Sequence, residues 1–187
     1  MDMDNNKNVQ IYSNGHGNSI FFWKPDEPYG VFSQWHRLPF VVEGIQYETA
    51  EQYMMAKKAL LAQDLDTYLR IMAESDPAKC AKLGKEVRNL NLAVWDVWKR
   101  EVVFNGNYAK FSQNSEAKEL LLRTVPRILV EANPYDFIWG IGMHADDPYA
   151  AEPAFWRGQN LLGSILMMVR NVLENEMLLS GEKMREA

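Results

Sequence analysis

One segment, Ala50 to Ala62, limits what the rest of the chain can do. Thr49 followed three residues later by Gln52 forms a capping box, and the spacing predicts a helix from about Ala50 to Ala62. At about 100° per residue, Met54, Met55, Leu61 and Ala62 fall on one face, and Tyr53, Ala56 and Leu60 on the opposite one. Only Gln52 and Lys57 lie at angles that reach solvent easily. A helix apolar nearly all round belongs inside a core. Within that apolar face stand Glu51 and Lys58, seven positions apart and within about 20° of each other. Their Cα atoms are about 10.5 Å apart along the axis, beyond an ordinary i, i+4 ion pair. A carboxylate and an ammonium set in apolar surroundings are costly unless paired or used. Either each finds its own partner elsewhere and Lys58 snorkels, or the two serve a common site.

Around this helix the chain reads as a single, mostly α-helical α+β domain with a small β-sheet. Residues 1–18 read as a flexible leader, 19–175 as the domain and 176–187 as a loose tail. Strands are expected at Ser19–Trp23, Val41–Tyr47 and Ile128–Ala132. Further helices are expected over 64–73, 76–84, 93–108, 115–123 and 160–174, with Pro77 in a first turn and Gly84 as a stop. Pro25, Pro28, Gly30 and Pro39 mark an irregular loop carrying Tyr29, Phe32 and Trp35, and residues 133–159 form a second aperiodic stretch.

Composition narrows the function classes. The 187 residues are 47% hydrophobic, enough for one sizeable core without metals or bridges. Twenty Lys and Arg against 25 Asp and Glu give a net charge of −5, which disfavours sequence-independent duplex binding. A lone Cys80 excludes an intramolecular disulfide and suits a reducing compartment. The polar start lacks a signal-peptide core, and no apolar run approaches the ~20 residues of a membrane span; a cytoplasmic protein without membrane attachment is expected. There is no GxxxxGK[ST], HExxH or CxxC, and His16, His36 and His144 are far apart, so neither metal nor cofactor is expected.

Two other segments carry polar groups outside any periodicity. In Asp136-Phe-Ile-Trp139-Gly140-Ile-Gly142 an acid, a tryptophan and two glycines fit either a binding loop or a turn that Asp136 caps itself. At Gly158-Gln159-Asn160, where the last helix starts, backbone amides and Asn160 could hold an anion or sugar, or Asn160 could serve as the N-cap. Trp95 and Trp98 default to core packing, and Cys80 to a small packed residue.

These residues also carry a resemblance. Tyr29-x-x-Phe32-Ser33, Pro39-Phe40 and Gly44-x-x-Tyr47-x-Thr49-x-Glu51-x-Tyr53-x-x-Ala56-x-Lys58 are similar to the opening signature of the YbiA-like, or NADAR, family. The likeness continues in the same order through Trp95, Lys110-Phe111, Leu121-Leu122-x-Thr124, Leu129-Val130-Glu131, Asp136-x-x-Trp139-Gly140-x-Gly142 and Asn160-x-Leu162-Gly163-x-x-Leu166-Met167. It spans about residues 20–173. Gln34, Trp35, Gln52 and Lys57 stand where the family usually has Asn, Phe, His and Gln. Ile141 stands where some members carry an acid.

The resemblance implies a compact helical fold and an N-glycosidase, a hydrolase acting on a C1′–N ribosyl bond. It points to two substrate classes: ADP-ribosylated guanine in nucleic acid, and small phosphorylated ribosylamine-type intermediates of riboflavin biosynthesis. It implies catalytic roles for Glu51, Lys58 and Asp136. It also implies substrate contacts from Phe32, Ser33, Tyr53, Trp95, Trp139, Gly140 and Asn160. A non-catalytic module binding ADP-ribose-like ligands is the alternative, and the embedded Lys58 favours the enzyme.

Overall fold

The computed structural model describes residues 18–185, with side chains described through Ser180; the leader read over residues 1–18, apart from Asn18, and His16 lie outside them. Four short strands and six α-helices are present among the described residues. β1 (Ser19–Phe22) pairs in parallel with β4 (Ile128–Glu131), with Ser19 opposite Ile128 and Phe22 opposite Glu131. The pairing joins segments more than a hundred residues apart, and the strand ends carrying Phe22 and Glu131 lie side by side.

The single strand expected over Val41–Tyr47 is instead a hairpin of β2 (Phe40–Val42) and β3 (Ile45–Tyr47). Its two-residue turn places Glu43 and Gly44 at φ 54° and 79°. Positive φ at both central residues marks the primed turn that suits the twist of a hairpin.

α1 (Ala50–Leu61) begins as the capping box implied, the Gln52 N–H donating to Thr49 Oγ1 at 3.1 Å. The return bond differs: Gln52 Oε1 accepts from the Glu48 N–H, while its Nε2 donates to the Ile71 and Glu74 carbonyls. The side chain expected to reach solvent therefore ties α1 to the end of α2 (Leu65–Met72) and is buried.

α1 packs against α2, α3 (Pro77–Glu86) and α4 (Leu92–Gln113), as an all-round apolar helix must. Gly84 does not end α3. A Cβ there would sit 1.8 Å from Met55 Sδ, so glycine lets α3 approach α1. α5 (Ser115–Leu122) leads into β4, and α6 (Leu161–Arg185) packs its first turns on β4 and α4.

α6 runs some ten residues past Glu174, into the stretch expected to be loose. Met177, Leu178 and Leu179 are at least half exposed, so good helix formers sustain this turn with little packing, and Tyr108 Oη donates to Glu176 Oε1 at 2.7 Å. No helix among the described residues is long and apolar enough to cross a membrane.

Candidate active site

α1 carries Glu51 in its first turn and Lys58 in its last. Glu51 is only 6% exposed, and its backbone N–H donates to the Gln34 carbonyl at 2.9 Å. Burial is the main force on its carboxyl and, with the negative charge of Asp136, pushes the pKa up to about 7. Lys58, a hydrogen bond from the Trp35 side chain, and Lys85 pull the other way.

Lys58 is half-buried, and its Nζ donates to the Gly84 carbonyl at 2.6 Å. Gly84 lies in the last turn of α3, where carbonyls lack helical partners and the helix dipole favours a cation. The same Nζ lies 5.9 Å from the centre of the Trp95 ring. Burial lowers the Lys58 pKa, Glu51 opposes that shift and Lys85 reinforces it. Glu51 and Lys58 thus feel each other's charge, and each also has its own partner.

Asp136 follows β4 in the aperiodic loop. Its Oδ1 accepts from the Ile138 and Trp139 N–H groups, both at 2.8 Å, so it caps its own turn while its charge acts on Glu51. Trp139 and Trp95, with Leu92, Ala93, Asp96, Lys99 and Ile138, line an open hollow of about 410 Å³. Trp95, which sits beside Lys58 Nζ, links this hollow to the α1 pair. Another hollow, about 260 Å³, runs along β1 with Trp23, Tyr29, Arg127 and His144; neither hollow is lined by Glu51 or Lys58 themselves.

The remaining sequence candidates are placed differently. Phe32 is fully buried, its ring 5.7 Å from Phe22 and 6.0 Å from Phe111. Ser33 is buried, and its Oγ accepts from the Trp35 N–H. Tyr53 lies across α1 from Glu51, packed on Tyr47 and on Gly106 of α4, where a Cβ would come within 2.6 Å of its ring. Gly140 brings the Asp136 loop against the end of β4; a Cβ there would sit 2.9 Å from the Glu131 carbonyl. Asn160 is buried at φ 50°, its Oδ1 accepting from the Glu131 N–H and its Nδ2 donating to the Leu129 carbonyl. Its amide thus completes the hydrogen bonding of β4. Among the described residues, no group of three or more His, Cys, Asp or Glu is placed to hold a metal.

Two polar groups at this end of the fold lie in stretches that carry the family resemblance but were given no role from the sequence. Glu131 ends β4 with its side chain buried and Oε2 without a partner. Burial, then Asp136 and Glu51, push its pKa up to about 8. Lys110 of α4 is wholly buried, and its Nζ donates to the Val31 and Ser33 carbonyls at 2.7 and 2.9 Å. It fixes the loop that carries Gln34 and Trp35 to Glu51. The signal for Glu131 was an acid closing an apolar Ile-Leu-Val run.

A helical domain of YbiA-like form, built round a buried acid and a half-buried amine with two further carboxyls beside them, is thus defined by fold and site together. The chain superimposes on the NMR structure of the Escherichia coli protein YbiA with a TM-score of 0.72 and 31% identity, covering 86% of this chain and 88% of that one. Residues 21–174 match the NADAR domain, and the chain belongs to the NADAR family. It is 43% identical over 145 residues to N-glycosidase R617 of Acanthamoeba polyphaga mimivirus, covering 75% of this chain and 85% of that protein. It is 32% identical to N-glycosidase YbiA of Escherichia coli over 84% of this chain and 89% of that one.

Proposed function

We propose that the protein is an N-glycosidase that hydrolyses a C1′–N ribosyl bond. The observation that carries this reading is the pairing of a buried Glu51, its pKa near neutrality, with a half-buried Lys58 of lowered pKa beside the Trp95 ring. Breaking a C1′–N bond develops positive charge on the sugar and negative charge on the departing nitrogen. A carboxylate stabilises the first or activates water, as in glycoside hydrolysis. An amine whose pKa burial lowers gives up its proton more readily, and in its neutral form attacks C1′ and holds the opened sugar as a Schiff base; in its charged form it gives a proton to the leaving base. Glu51 takes the acid/base role and Lys58 the covalent or acid role. Asp136 holds the Trp139 turn and tunes Glu51, while Trp95 and Trp139 offer faces on which a base stacks. The relatives named as N-glycosidases support the reaction type.

Two substrates fit: ADP-ribose on guanine, and a phosphorylated ribosylamine of riboflavin biosynthesis. Incubation of the protein with each, followed by product analysis, tests the reading. Release of free base or amine together with the sugar is expected, and Glu51→Ala and Lys58→Ala, still folded, are expected to release neither. Tight binding of ADP-ribose without bond cleavage would favour the non-catalytic module instead.

A further inference from the structure

We propose that Glu131 is a further catalytic residue of this site, the acid that protonates the departing nitrogen. The assignment rests on the N-glycosidase reading and extends it. Glu131 lies at the carboxyl end of β4, where the parallel β1–β4 pair stops and the Asp136 loop begins. Its backbone is fixed from two sides, by Asn160 Oδ1 on its N–H and by the Ile141 N–H on its carbonyl. Such anchoring leaves the carboxyl little freedom.

That carboxyl is 8% exposed, and its Oε2 has no hydrogen-bond partner. Buried carboxyl oxygens left unpaired are costly, and a site that tolerates one is waiting for a ligand to complete it. The charges bearing on it are of one sign: Asp136 from the following loop and Glu51 from α1. The cations nearby are directed elsewhere. Lys58 binds the Gly84 carbonyl, and Lys58 and Lys85 act on Glu51. Arg170 of α6, which packs on β4, donates to Thr124 Oγ1 and the Arg127 carbonyl, before the start of the strand. β1, along Ser19–Phe22, brings no charged side chain.

Glu51 and Glu131, each raised by burial and by the charge of Asp136, therefore hold a proton near neutral pH, and Glu131, with a pKa of about 8, keeps it more firmly. A pair of acids whose surroundings set their pKa values apart divides the roles of acid and base. In the proposed step the C1′–N bond breaks with its electron pair going to nitrogen, and the Glu131 hydroxyl gives that nitrogen its proton. Lys58 Nζ bonds to C1′ as the base departs, its proton passing to the Glu51 carboxylate, and water then hydrolyses the resulting Schiff base, freeing the sugar and restoring the amine. Exchange with solvent then returns Glu131 to the acid and Glu51 to the base, so water is the only co-reactant consumed.

The test compares two leaving groups in wild type and Glu131→Gln. One substrate is a guanine or amine ribosyl compound, whose leaving nitrogen needs a proton; the other is a pyridinium riboside, whose leaving nitrogen does not. Glu131→Gln is expected to lose about 10²-fold or more in kcat on the first and to stay near wild type on the second. The alkaline limb of the wild-type profile near pH 8 is expected to vanish in the variant. Infrared titration of the wild type is expected to show a neutral carboxyl absent from Glu131→Gln, a readout independent of turnover. Equal losses on both substrates, unchanged activity on both, or no such carboxyl would overturn the assignment. If wild type cleaves neither substrate, the N-glycosidase reading falls first and this one with it.

Discussion

Lys58 Nζ reaches across from α1 to the Gly84 carbonyl in the last turn of α3, at 2.6 Å. The contact exists because residue 84 has no side chain: its Cα side is filled by Met55 Sδ, so the two helices lie close enough for the amine to cap α3. Gly84→Ala is therefore expected to move the carbonyl away from Lys58 as well as to crowd Met55. Overpacking of this kind costs about 1–3 kcal/mol. Urea denaturation should show that loss, and kcat should fall in the molecules that remain folded. Wild-type kcat in Gly84→Ala would mean that the carbonyl does not position the amine.

The hydrogen bond from Trp35 to Glu51 leads to a pH prediction. A base must be ionised to work, so kcat/KM is expected to fall as pH drops through about 7, the Glu51 pKa. Trp35 lowers that pKa, so Trp35→Phe should raise it and move the acid limb to higher pH. The family resemblance gives Phe as the usual residue here, so the shift isolates what this chain's tryptophan adds. A pH–rate profile of both proteins, with an unmoved limb in Trp35→Phe, would remove the hydrogen bond from the account.

How far these features could be read in advance depended on the range of the interactions behind them. α1 was legible because its cap, periodicity and odd charges lie within thirteen residues, and Thr49 caps it as expected. Val41–Tyr47 was misread because β-branched residues flank Glu43-Gly44 on both sides. The turn is visible only in its two positive φ angles. Gly84 resembled a stop, since a glycine demanded by a neighbour 29 positions earlier looks locally like one that ends a helix. Glu131 was hidden for the same reason. Its burial depends on β1 and Asn160, both distant in sequence, as well as on the Asp136 loop that follows it. Asp136 caps its own turn, one of the two readings its segment allowed, and its charge also acts on Glu51.

Lys110 gives a stability prediction. Lys110→Met keeps the apolar stem but leaves the Val31 and Ser33 carbonyls without their donor. The expected cost is roughly 2 kcal/mol in urea denaturation near neutral pH, with lower activity because Trp35 is no longer fixed. Burial lowers the Lys110 pKa to about 7, below that of an unfolded lysine near ~10.4. Between those values the unfolded chain holds the extra proton, so this residue's contribution to stability rises with pH. The gap between wild type and Lys110→Met should be wider at pH 9 than at pH 6; a constant gap would show that the amine titrates normally.

Asp64 sets the acid limit of the fold. It caps α2 through the Thr67 N–H and accepts from the Arg88 N–H and guanidinium, the shortest bond being 2.7 Å to Oδ1. The Arg88 side-chain bonds, followed by the Arg88 backbone bond, hold its carboxyl well below the usual carboxylate range. A depressed pKa stabilises the folded state above the unfolded value of ~3.9 and loses that contribution as pH falls towards the folded value. Asp64→Asn retains an acceptor for Thr67 and loses the charge facing Arg88, so its Tm should lie below wild type at pH 7. The difference should narrow as pH falls from about 4 to about 2, because the unfolded wild-type chain then takes up a proton that the folded carboxyl resists. Thermal melts of both proteins across that range decide it: curves that stay parallel would show that the Asp64–Arg88 fork adds no stability through its charge.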